Sequence, residues 1–148
     1  MTNENVVQMK ERSQTNVLIE ELLIERKQVW DIYCIVTGIN EAKTGKSMEE
    51  LVREFCQLTV DYISLGHFGV YQRILDGNER RKSVLLSAEE IYPKISKATE
   101  SVLDFNDKYQ ELTPLLILND LANDLSDVGE HLANRIELED ELIGKMLA

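Results

Sequence analysis

The chain has 148 residues, 43% of them hydrophobic and 29% charged, which is enough apolar material for a core of its own and too much for disorder. Its 27 acidic and 16 basic residues give a net charge of −11, with eleven acidic against three basic from Ser101 onward. Such a surface repels nucleic-acid backbones and suits a basic partner, although acidity also serves plain solubility.

Seven glycines and two prolines leave few places for sheet turns, so helices are expected throughout. No apolar run approaches the roughly 20 residues that cross a bilayer. Met1 to Asn5 show no basic stretch leading into an apolar one, so no signal peptide is expected and the cytoplasm is the expected location. Cys34 and Cys56 sit in apolar helical patterns without metal-type spacing and read as reduced core residues.

In chain order, residues 4–13 are polar and predict a short lead-in helix. Asn16 is placed to cap a longer helix reaching about Thr37, with Leu18, Leu22, Val29, Tyr33 and Val36 on one face. Gly38 supplies the stop. After a loop from Asn40 to Lys46, Ser47 and Glu50 form a capping box. The helix that follows is expected to bury Leu51, Phe55, Leu58, Tyr62 and Leu65. Gly66 is read as an interruption, followed by a shorter helix carrying Phe68, Tyr71, Ile74 and Leu75, then a charged connector from Asp76 to Lys82.

Ser87 and Glu90 make a second capping box. Ile91, Ile95, Ala98, Val102, Phe105, Tyr109 and Leu112 repeat at spacings of four and three, and Pro93 should bend this helix or mark its effective start. Thr113 and Pro114 open a last helix to about Met146, with Leu118, Leu121, Leu125, Val128, Leu132, Leu142 and Met146 on its stripe. The expected fold is all-α, an antiparallel four-helix bundle with short accessory helices, and residues 1–148 read as one domain.

The last stripe has two exceptions. From Leu132 its rhythm reaches Arg135 and then Glu139, one turn apart on the face that should be buried, and Arg26 sits in the same way between Leu22 and Val29. Buried charges must be paired and hydrogen-bonded. Either Arg135 and Glu139 form a structural pair that fixes register, or the bundle opens here into a polar groove. Asp61 borders the stripe beside Leu58 and Leu65. It is a solvated flank or a carboxylate placed to receive a partner's arginine. Phe68 is core or an exposed anchor, and His67 reads as a surface or satisfied histidine.

Catalytic and cofactor signals are weak. The stretch from Gly38 to Ser47, GINEAKTGKS, has six residues between its glycines where a phosphate loop needs four, and it follows a helix instead of a strand. No Glu-x-x-His pair occurs, and His67 and His131 are the only histidines, too few for a di-iron bundle. No enzyme activity, metal or cofactor is expected.

Three separated stretches carry a resemblance. The first is Phe55 to Gln57 and Val60 to Tyr62, with Gly66 to Phe68, Tyr71 and Arg73 to Leu75. The second is Leu125 to Glu130, continuing through Leu132, Arg135 and Leu138 to Asp140 into Leu142 and Ile143. The third is Arg26 and Lys27 with Tyr33, Gly38 and Ile39. In this order they resemble the regulator-of-sigma-D family, whose members are called Rsd and AlgQ, over about Val17 to Leu147. Two departures are that Leu22 stands where a tryptophan is common, and that the C-terminal tail is shorter.

The resemblance implies an anti-sigma factor, a helical bundle that binds region 4 of the primary sigma factor and so favours alternative sigma factors. It implies a partner surface at Asp61 and Phe68, with Arg26, Ser64, Leu65, His67 and Tyr71 around them. The acidity argues against direct contact with nucleic acid and the absence of a long apolar run against a membrane, and the chain is expected to be monomeric when free. The competing reading from the residues is a bundle that senses a ligand or metal through the polar interior at Arg26, Arg135 and Glu139.

Overall fold

In a computed structural model that describes residues 3–40, 43–74, 77, 79–110 and 114–148, four long helices carry the chain and no strand occurs among the described residues. They are α1 (Asn3–Val36), α2 (Met48–Ser64), α3 (Lys82–Tyr109) and α4 (Pro114–Leu147), with a π-helical segment, Leu65–Tyr71, continuing α2. Leu75, Asp76, Leu112 and Thr113, and the side chains of Pro114 and Leu118, lie outside what is described.

Contacts run downward in one helix as they run upward in the next. On α3 and α4, Lys108 meets Asp124 while Thr99 meets Arg135. On α1 and α4, Tyr33 reaches Leu125 while Arg26 reaches Asp140. Tyr33 also packs on Phe55 of α2, Leu22 approaches Gly66, and Phe55 meets Phe105 of α3 edge-on. The bundle is therefore antiparallel, with α1 chiefly against α2 and α3 chiefly against α4.

The helix signals succeed where they are local and backbone-based. Ser47 Oγ accepts from Glu50 N at 3.1 Å, which satisfies one of the free donors at the start of α2. Gly38 takes φ +80°, a conformation glycine adopts without penalty, and ends α1. The apolar stripes deliver the core as expected at Leu22, Val29, Tyr33, Val36, Leu51, Phe55, Tyr62, Ile91, Ile95, Val102, Leu125, Val128, Leu132 and Leu142. Leu18, Leu58 and Leu65 are only partly buried and pack against its edge.

Three boundaries differ from expectation. The lead-in helix and the helix expected from Asn16 are one continuous helix, and Asn16 is exposed in its interior. α3 starts at Lys82 because Val84 and Ala88 have core to cover, so Ser87 and Glu90 lie inside the helix and cap nothing. Pro93 lies within the same helix, which continues past it. Gly66 does not interrupt the chain. The backbone widens into the π turn there, and Gln72 N donates to His67 O five residues back.

No described helix is long and apolar enough to cross a membrane. Cys34 is half-buried and Cys56 buried, both as free thiols, and burial pushes the Cys56 thiol up to about 12, far from a reactive thiolate.

Candidate functional site

The two exceptions on the α4 stripe are fully interior, Arg135 at 1% and Glu139 at 0% exposure. Every helix contributes to holding them. Tyr62 of α2 donates its hydroxyl to Glu139 Oε1 at 2.6 Å, and Tyr71 of the π segment donates to Oε2. Arg26 of α1 approaches Oε1 at 3.4 Å and holds Asp140 Oδ1 at 2.6 Å at the surface end. Arg135 lies over the Tyr62 and Tyr71 rings at 5.3 and 5.8 Å and donates through Nη1 to Thr99 of α3. Its Nη2 stands 3.9 Å from Glu139 Oε2, an ion pair beyond hydrogen-bond reach.

This is a built network and not a stray charge. The carboxylate collects two hydroxyl donors and two guanidinium groups, which compensates its removal from water. Burial, and after it the Glu139 charge, drives both tyrosine hydroxyls well above their ordinary range. Space is also committed to the arginine. A Cβ at Gly66 would stand 3.1 Å from Arg135 Nη2 and 3.3 Å from the Tyr71 ring, so glycine admits the guanidinium under the π turn.

Above this network a groove of about 370 Å³ lies between the π segment and α3. Ser64, His67, Phe68 and Tyr71 line one side, Tyr92, Ser96, Thr99 and Leu103 the other, and Arg135 contributes to its lining. Phe68 is 65% exposed and packs edge-on against His67, whose Nδ1 shares a 3.2 Å hydrogen bond with Tyr92 Oη. Three residues of the expected partner surface, Ser64, His67 and Phe68, are thus gathered at one groove.

The others are placed differently. Asp61 is exposed on the last turn of α2, where its carboxylate accepts from Gln57 Nε2 at 3.1 Å. Its charge is felt by Glu25 of α1. Burial first, and Asp61 next, raises the Glu25 carboxyl above its usual range. Leu65 turns to Leu18 of α1 beside Gly69. Arg26 is occupied by Glu139 and Asp140. Tyr71 is only 2% exposed with its hydroxyl on Glu139, so it belongs with the interior network and offers the groove no more than a ring edge.

Periodicity placed Arg135 and Glu139 on the buried face, where the structure has them, while Arg26 reaches the same carboxylate from a half-buried position. It missed Tyr62 as a hydroxyl donor, because a tyrosine on an apolar stripe reads as core. It also missed Thr99, Tyr92 and Asp140, which carry no pattern of their own. Among the described residues no group of His, Cys, Asp and Glu side chains could hold a metal ion, and nothing favours the sensor reading over a protein-binding one.

Residues 1–147 match the family model described as regulator of RNA polymerase sigma(70) subunit, Rsd/AlgQ. Among curated relatives, the regulator of sigma D of Yersinia enterocolitica serotype O:8 is 36% identical over 137 residues, covering 87% of this chain and 80% of the relative. That of Salmonella arizonae is 36% identical over 136 residues, covering 87% and 81%. That of Enterobacter sp. strain 638 is 34% identical over 143 residues, covering 90% and 82%. No solved structure matches the chain.

Proposed function

The chain belongs to the Rsd/AlgQ family of RNA polymerase sigma(70) regulators, and we propose that it is an anti-sigma factor that sequesters region 4 of the primary sigma factor. It acts by binding and not by catalysis, as a single-domain monomer in the cytoplasm, without contacting DNA or membrane itself. Region 4 is a helix-turn-helix module whose basic face reads the −35 promoter element. Holding that face lowers the share of polymerase carrying the primary sigma factor and favours alternative ones.

One observation supports this reading above the rest. Phe68, a large apolar side chain, stands 65% in solvent on the segment that continues α2, and the exposed carboxylate of Asp61 lies one turn before that segment begins. An exposed aromatic ring at a groove edge supplies an apolar anchor, and an exposed carboxylate earlier on the same helical stretch supplies the charge that a basic, partly apolar partner needs. The net charge of −11 adds long-range attraction toward such a partner and repulsion from the DNA it competes with.

The test is to mix the purified protein with isolated region 4 and follow the mixture by size-exclusion chromatography. A 1:1 complex at micromolar concentrations is expected. Free elution of both components at low ionic strength overturns the proposal.

A further inference from the structure

The groove between the π segment and α3 has a second wall that the expected partner surface did not include. Tyr92, Ser96, Thr99 and Leu103 recur at spacings of four, three and four along one face of α3, across from Ser64, His67 and Phe68. Ile63 and Ile95, both buried, also belong to its lining. Its polar side chains are engaged, Tyr92 Oη with His67 Nδ1 at 3.2 Å and Thr99 Oγ1 donating to Ile95 O at 2.7 Å. What the groove offers is apolar surface, with Phe68 65% exposed on one wall and Leu103 39% exposed on the other.

Charge is sorted around it. Glu100 is exposed, borders this groove and makes no ion pair among the described residues. The lysines of the same stretch of α3, Lys94 and Lys97, line a separate groove against α4. Asp61 adds an exposed carboxylate on the helix that leads into the other wall. An apolar cleft between two helical walls, flanked by acid, fits a helix that carries an apolar side chain with a lysine or arginine one turn along.

We propose that region 4 seats an apolar side chain of one basic helix in this groove, between Phe68 and Leu103, while Glu100 pairs with a lysine or arginine one turn away on that helix. α3 then forms half of the docking surface, and Glu100 favours a basic partner from the second wall. This assignment rests on the reading of region 4 as the partner and adds α3 to its footprint.

The affinity of the full chain for labelled region 4, read by fluorescence anisotropy, tests it. Ser96→Tyr, which fills the groove from α3, and Leu103→Asp should each weaken binding about 30-fold, and Glu100→Lys about tenfold. Melting temperatures should stay close to the parent, since all three positions are exposed or half-exposed. Glu137→Lys makes the same change of charge in the groove against α4 and should stay within about twofold of the parent. Parent-like affinity in Ser96→Tyr or Leu103→Asp, or equal losses in Glu100→Lys and Glu137→Lys, overturns the assignment. If Phe68→Ala and Asp61→Ala still weaken the complex in that case, region 4 remains the partner without α3. A parent chain that leaves region 4 free overturns both readings. Self-association of the free chain that Ser96→Tyr abolishes gives the groove to a second copy and overturns the assignment as well.

Discussion

Tyr62 and Glu139, 77 residues apart in the sequence, meet inside the bundle with the tyrosine hydroxyl 2.6 Å from the carboxylate. This contact ties α2 to α4 through a charge that Arg26 and Arg135 balance from either side. The interior ion is therefore a fastening point for all four helices, and its removal should be felt by the whole fold.

Glu139→Ala should destabilise the protein by about 3–5 kcal/mol, since it leaves the Arg135 charge buried without its counter-ion and two hydroxyls without an acceptor. Asp140→Ala, one residue on, removes a carboxylate that is 55% exposed and should cost under about 1 kcal/mol, despite its shorter 2.6 Å contact with Arg26. Urea titrations of the two variants at pH 7 decide the matter. Similar losses would mean that burial is not what sets the value of these contacts.

The two tyrosines give the network a pH signature. Burial, with the Glu139 charge second, raises the folded-state pKa of Tyr62 and Tyr71 above the value near 10 that tyrosine has in an unfolded chain. Between those values the unfolded chain has lost protons that the folded one keeps. Their contribution is therefore fully present below about pH 10 and declines as the pH rises beyond it. Urea midpoints should hold steady from pH 7 to 9 and fall from pH 10 to 11. Tyr62→Phe should start lower and fall less steeply, and an unchanged slope in that variant would remove Tyr62 from the account.

Much of this was legible in the sequence, for physical reasons that differ by residue. Arg135 and Glu139 stood out because a charge on an apolar stripe breaks a strict period. Ser47 and Gly38 were read correctly because capping is decided within a few residues of backbone. The start of α3 was misread because Ser87 and Glu90 imitate a cap, while the helix is extended to Lys82 by contacts made elsewhere. Val84 is buried, and Arg81 Nη1 bonds Met146 O at 2.7 Å, at the far end of the chain. Gly66 looked like a break because its role, clearance for Arg135, exists only once α4 is in place. Phe68 could not be assigned at all, since burial of one aromatic residue after a helix irregularity is a tertiary fact.

Tight packing around a glycine gives a third test. A Cβ at Gly129 of α4 would overlap Tyr33 Oη and stand 2.6 Å from its Cζ, and that hydroxyl is fixed by its 2.9 Å bond to Leu125 O. Gly129→Ala should therefore cost about 1–3 kcal/mol through overpacking, against the normal helical preference for alanine. Gly144 lies on the same helix with nothing within 4 Å of its would-be Cβ, and Gly144→Ala should add about 0.4–1 kcal/mol. Thermal melts of the pair, run side by side, should move in opposite directions. Two stabilised variants would show that Tyr33 yields freely.

The partner surface invites a kinetic test, because its two principal residues should act on different steps. Phe68 is exposed and packs edge-on against His67, so Phe68→Ala should leave the melting temperature within a degree or so of the parent. If the ring anchors region 4, its loss should raise the dissociation rate roughly 30-fold, the effect of about 2 kcal/mol at an interface hot spot. Asp61→Ala removes an exposed acceptor for Gln57. It should weaken the complex about tenfold, and the association rates of parent and variant should converge as salt screens the charge. Stopped-flow mixing with region 4 at 50 and 500 mM salt separates the two effects. Parent-like rates in both variants at low salt would move the interface off this face of the bundle.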